Sequence, residues 1–135
     1  MSVVIDASVA VKWVLPEPAT DAALALQHDQ LIAPELWLAE AANALWRHVR
    51  IGELTSDQAL TRLRELKKAP VASLPIEPHV ERALALAIEL GHPIYDCLYL
   101  ALALAQDAHV ITDDRRFAAA ANRPELAGRV RLLVP

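Results

Sequence analysis

The sequence predicts an α/β architecture. Short β-branched runs alternate along its 135 residues with segments of helical periodicity, the order from which layered α/β domains are built. Two of those runs, Ser2-Val3-Val4-Ile5-Asp6 and Val110-Ile111-Thr112, end at or one residue short of an aspartate pair or singleton. In open parallel sheets ligands bind in the crevice beyond the carboxyl ends of the strands, because loops converge there on a rigid support. Two acids at that edge mark a candidate site.

The elements follow in order. After the first strand, Ala7 to Val14 reads as a short helix stopped by Leu15-Pro16-Glu17-Pro18, and Pro18 is placed to open a second helix to about His28. A strand, Leu31-Ile32-Ala33, leads to Pro34. From Glu35 to Arg50 the apolar residues Leu38, Ala41, Ala42, Leu45 and Val49 recur at helical spacing, and Gly52 supplies the stop. Thr55 and Gln58 have capping-box spacing ahead of a helix with a Leu60, Leu63, Leu66 stripe that reaches about Lys68. Val71-Ala72-Ser73-Leu74 is a further short strand, and Pro78 opens a helix up to Gly91. Tyr95 to Gln106 is apolar on nearly every side, as a helix packed between other layers must be. The strand Val110–Thr112 follows, then a helix from Asp113 to Ala121, and Val130 to Val134 can add a last strand.

Length and composition bound the function. One domain spanning residues 1–135 accounts for the chain, large enough to bury about two thirds of its unfolded surface. The apolar stretch Cys97 to Ala105 is far short of the roughly 20 residues that span a bilayer, so no membrane association is expected. Asp6 interrupts the one candidate leader, which predicts a cytoplasmic protein. Cys97 is the sole cysteine and reads as core filler, and the five histidines His28, His48, His79, His92 and His109 show no metal-ligand spacing among themselves. Three glycines leave no Gly-rich phosphate loop. A net charge of −4 argues against broad phosphate-driven nucleic-acid binding, but it leaves room for a nuclease whose bound cations reverse the local field.

The candidate site residues are Asp6, Glu40, Asp96 and Asp114. Singly, Asp6, Asp96 and Asp114 suit helix capping. Glu40 does not, because it falls inside its helix between Ala39 and Ala41. Two carboxylates about 5 Å apart repel by about 3 kcal/mol at an effective dielectric of about 20, so four converging acids require a cation. Oxygen-only ligation points to Mg²⁺ or Mn²⁺, and one or two such ions suit phosphodiester hydrolysis.

Four strings carry a family resemblance: Val3-Val4-Ile5-Asp6-Ala7-Ser8, Glu40-Ala41-Ala42-Asn43-Ala44-Leu45, Tyr95-Asp96-Cys97-Leu98-Tyr99-Leu100-Ala101, and Ile111-Thr112-Asp113-Asp114-Arg115-Arg116-Phe117. In their order and spacing they resemble PIN-domain ribonucleases, specifically VapC-type toxins. The resemblance implies a three-layer α/β/α sandwich around a mostly parallel sheet. It also implies a Mg²⁺- or Mn²⁺-dependent endoribonuclease, the toxin of a toxin–antitoxin pair, inhibited by a cognate antitoxin and forming a homodimer, with RNA as substrate. Asp6, Glu40, Asp96 and Asp114 match its acidic ligands. Ser8 and Thr112 match its small hydroxyl positions, where they could orient a carboxylate, and Asp113 either shares metal contact or faces solvent. Lys12, Arg47, Arg50, Arg115 and Arg116 could meet RNA phosphates, with a solvated face as the simpler reading of each. Trp13 and Trp46 are candidates for an interface, against core packing. Two other classes compete: a receiver-like signalling domain with a phosphorylatable aspartate beside Mg²⁺, and a protein-interaction module that has lost its chemistry.

Overall fold

The structure is a computed structural model and describes residues 2–134. Five strands, β1 (Ser2–Ile5), β2 (Gln30–Pro34), β3 (Val71–Leu74), β4 (His109–Thr112) and β5 (Val130–Leu132), form one sheet in the order β3-β2-β1-β4-β5. Every neighbouring pair is parallel. Val3, Val4 and Ile5 of β1 and Val110 and Ile111 of β4 are all buried, as strands covered on both faces must be.

The helices are α1 (Ala7–Ala10), α2 (Thr20–Ala25), α3 (Trp37–Arg50), α4 (Ser56–Lys67), α5 (Val80–Leu90), α6 (Ile94–Ala105) and α7 (Arg115–Ala120). They flank the sheet in the three-layer α/β/α arrangement the sequence predicts. α6 lies against β1, β2 and β4 and carries α5 on its outer side, while α3 packs on α1 and α4. Cys97 to Ala103 of α6 are buried without a break, which explains the helix's lack of a polar face. The capping box of α4 forms as expected: Gln58 N–H donates to Thr55 Oγ1 over 3.1 Å, and Thr55 N–H donates to Gln58 Oε1 over 2.9 Å.

Three expectations shift. The helix from Ala7 to Val14 is α1 followed by a tighter 3₁₀ turn, Val11–Trp13. The valines at 9, 11 and 14 are poor helix formers, and Pro16 ends the segment. The helix expected from Pro18 begins at Thr20 and ends in a second 3₁₀ turn, Leu26–His28. Ala19 takes a left-handed backbone (φ +71°) and Thr20 Oγ1 accepts from Glu17 N–H over 2.9 Å, so the turn closes two residues later than the proline. The last strand stops at Leu132, although Leu133 N–H still reaches Thr112 O over 2.8 Å.

The strand order places the site. The chain moves outward from β1 through β2 to β3, then returns to the other side of β1 with β4. The direction of winding therefore reverses between β1 and β4, and the connections leaving those two strands part to open a crevice. Asp6 leaves β1, its N–H donating to Ile111 O of β4 over 3.0 Å, and Asp114 follows β4. Both acids thus stand at the switch point.

Candidate active site

Asp6 is almost fully buried, at 5% exposure. It occupies the N-cap position of α1 but its side chain caps nothing, so the capping explanation fails here. Its Oδ2 instead accepts from the Thr112 hydroxyl over 2.5 Å and from the Ser8 hydroxyl over 3.1 Å. Each hydroxyl accepts in turn from the turn after β4: Asp114 N–H donates to Thr112 Oγ1 and Asp113 N–H to Ser8 Oγ, both over 3.0 Å. The two small hydroxyl residues therefore bolt the Asp113-Asp114 turn to the Asp6 carboxylate. Burial pushes the Asp6 carboxyl up to about 6, against the lowering effect of Thr112 and Ser8, and repulsion from Asp96 adds to the rise.

Glu40 projects from the first turn of α3. Its Oε1 accepts from the Tyr99 hydroxyl of α6 over 2.6 Å, and Tyr99 is itself fully buried. Burial raises the Glu40 carboxyl to about 7, partly opposed by that hydrogen bond and reinforced by the charges of Asp6 and Asp96. The compensating group that an acid among alanines demands is thus a buried phenol, with the other acids close enough to repel it.

Asp96 lies in the first turn of α6, where burial raises its carboxyl, a neighbouring histidine lowers it, and Asp114 raises it again. That histidine is His92, whose Nε2 sits 2.6 Å from Asp96 Oδ2. Asp114 is both cap and site residue: its Oδ1 accepts from Arg116 N–H (2.9 Å) and Phe117 N–H (3.2 Å) at the start of α7. Ligand atoms of His92, Asp96 and Asp114 all fall within 4.8 Å of one another. All four predicted acids line one open cleft of about 560 Å³, together with Asn43, Arg47 and Tyr95 among others.

A family model for the PIN domain matches residues 3–123. The chain belongs to the PIN-domain family. Ribonuclease VapC3 of Pyrobaculum aerophilum is 34% identical over 123 residues, which cover 87% of this chain and 93% of that protein. The PIN fold is also shared with the crystal structure of PAE2754 from Pyrobaculum aerophilum (TM-score 0.72, 24% identity, covering 90% of this chain and 81% of that one). A toxin–antitoxin complex from Klebsiella pneumoniae is similar as well (TM-score 0.64, 19% identity, covering 96% and 95%). The VapC-type resemblance carried by the four strings is met by these relatives.

Within this PIN domain several sequence readings need correction. No histidine stood out in the sequence, yet His92 is hydrogen-bonded to a site acid. Its signal in the sequence is the i, i+4 spacing to Asp96, which pairs of His and Cys residues alone do not reveal. Lys12 is not a solvated phosphate contact: it is 4% exposed, with Nζ 2.8 Å from Glu17 and 3.2 Å from Asp113. Asp113 consequently turns towards Lys12 and lines a different hollow, beside Glu17 and Arg115. Arg50 sits 5.5 Å over the Trp46 ring. Trp13 packs inward, its indole N–H donating to Ala23 O over 2.8 Å, whereas Trp46 is 53% exposed. Cys97 is buried with its thiol raised to about 11, chiefly by burial, which fits core filler.

Proposed function

We propose that this PIN domain, taken as one unit over residues 1–135, is a Mg²⁺- or Mn²⁺-dependent endoribonuclease, the cytoplasmic toxin of a toxin–antitoxin pair. The observation that carries the reading is the convergence of Asp6, Glu40, Asp96 and Asp114, from four separate segments, on one cleft at the switch point of the sheet. The ribonuclease name of the VapC3 relative supports the substrate class, and the toxin–antitoxin complex among its structural neighbours supports the partner.

The donor set fits a hard divalent cation. Burial and mutual repulsion hold Asp6 and Glu40 far above the ordinary carboxylate range, a condition that a cation among them relieves. Asp6, Glu40, Asp96 and Asp114 would hold it. When bound, it supplies Lewis-acid chemistry at the phosphodiester and neutralises charge developing on the leaving oxygen. The chain's own task is positioning. Thr112 and Ser8 fix Asp6, Tyr99 fixes Glu40, and backbone N–H groups of α7 fix Asp114. Arg47, further along α3 from Glu40, lines the same cleft and is placed to meet an RNA phosphate.

Association with the antitoxin and with a second copy belongs to the same proposal. Trp46, Ile51 and Leu60, and a stripe of Val80, Leu84 and Ile88 along α5, leave more apolar surface exposed than scattered single residues would. The test is incubation of purified protein with a structured RNA mixture. Discrete products that need Mn²⁺ or Mg²⁺ and vanish with chelator are expected, and products indifferent to chelator would overturn the metal assignment.

A further inference from the structure

The His92–Asp96 contact differs from an ordinary i, i+4 pair on a helix surface. The two side chains are 10% and 21% exposed, so the bond is largely shielded from water, where surface pairs contribute little. His92 precedes α6: Gly91 ends α5 in the left-handed region (φ +62°), and His92 N–H donates to Ala87 O over 3.2 Å. The Cys97 thiol lies 3.9 Å from the His92 carbonyl. The backbone that carries the imidazole is therefore held from both sides.

The ring is held too. It stacks on Phe117 with centroids 5.3 Å apart and planes inclined by 19°, and Phe117 is fully buried. Phe117 is also the residue whose N–H donates to Asp114 Oδ1. One chain of contacts thus runs from Asp96 through the His92 ring and the Phe117 ring to Asp114, joining the acid of α6 to the acid that caps α7. An ionised Asp96 only accepts, so Nε2 carries the proton in this bond, a charge-assisted geometry that fixes the carboxylate's rotamer.

We infer that His92 is a positioning residue: braced by Phe117, it aims the Asp96 carboxylate into the cleft in register with Asp114. The inference rests on the metal-dependent reading above. Asp114 is already held by the N–H groups of Arg116 and Phe117, whereas His92 is the side chain that holds the Asp96 carboxylate. Groups that orient metal-bound carboxylates commonly change metal affinity or activity by about 10- to 100-fold when removed.

Two substitutions separate the parts. His92→Phe keeps a flat ring on Phe117 and removes the donor, while His92→Gln removes the ring and places an amide N–H near the position of Nε2. Calorimetric titration with Mn²⁺ alone reads binding without turnover, and melting of the metal-free proteins reads the fold. The expected result is an Mn²⁺ Kd raised about 10-fold or more in His92→Phe, with melting near that of the parent, and recovery to within about 3-fold of the parent in His92→Gln. His92→Asn, whose donor is too short to reach Asp96, gives the same readout if the Phe variant fails to fold. Parent-like Mn²⁺ affinity in a folded His92→Phe or His92→Asn would overturn the inference. Equal loss in the Gln variant would overturn it too, by making the imidazole itself the ligand. A parent that binds no Mn²⁺ would instead sink the metal reading on which this stands.

Discussion

Thr112 and Asp6, at the ends of adjacent parallel strands, share a hydrogen bond of 2.5 Å with the hydroxyl donating to a carboxylate that solvent barely reaches. The same hydroxyl accepts from Asp114 N–H, so one buried oxygen sets the relation between two of the four acids.

Thr112→Val keeps the side-chain shape and removes both bonds. Asp6 Oδ2 is then left with Ser8 as its hydroxyl donor and Asp114 N–H loses its acceptor, at about 1–3 kcal/mol at most for each bond lost. Urea unfolding of the metal-free variant is expected to show a stability lower by about 2 kcal/mol, with Mn²⁺ affinity also reduced. Unchanged unfolding would mean that water replaces the hydroxyl at no cost.

Lys12 separates a structural cation from an RNA contact. Lys12→Met leaves Glu17 and Asp113 without their partner, but these carboxylates are 28% and 48% exposed and can hydrate, so the loss is held to about 1–2 kcal/mol rather than the full cost of breaking a buried pair. The salt dependence of RNA binding should stay that of the parent, because Lys12 is buried and its Nζ is engaged by Glu17 and Asp113. A shallower salt slope in a filter-binding series would contradict the structural role.

Tyr99→Phe removes the donor to Glu40 Oε1 and little else. Hydrogen bonds to charged groups contribute about 1.5–3 kcal/mol, so Mn²⁺ binding should weaken by about 10-fold or more and the metal-free variant should also unfold more easily than the parent. Parent-like binding would show that Glu40 is held by other means.

The acids also give the metal-free protein a pH signature. Asp6 and Glu40 sit at about 6 and about 7, above ordinary values of 3.8 and 4.5. The fold then binds protons more tightly than the unfolded chain does. Stability is greatest below about pH 4 as far as these groups are concerned, and it falls as pH rises through their folded values. For Asp6 alone the penalty in the ionised fold is about 3 kcal/mol. The rise in Tm on adding Mn²⁺ should therefore grow between about pH 5 and pH 8, a trend that differential scanning calorimetry at a series of pH values can check. A metal-induced rise that is flat with pH would contradict the assignment of those carboxyls to the metal.

Much of this was legible in the sequence because it depended on local pattern. Strand β1 and helix α6 announce themselves by burial on all sides, and Glu40 stood out as an acid with no cap to make. The rest depended on tertiary partners. Lys12 looked like a surface cation until the turn after β4 brought Asp113 to it, and that same ion pair explains why Asp113 stays out of the cleft. His92 lay one helical turn from Asp96 in the sequence, but the left-handed Gly91 and the stack on Phe117 that give the spacing its meaning come from separate elements. The helix expected from Pro18 starts late because Ala19 takes a left-handed backbone, which no residue preference signals.

Cleavage of a structured RNA mixture by the parent and by Asp96→Asn, with Mn²⁺ or Mg²⁺ and with chelator, tests the central claim most directly. Discrete, cation-dependent products are expected from the parent and none from Asp96→Asn, with both proteins melting cooperatively. Identical products from a folded Asp96→Asn would contradict it.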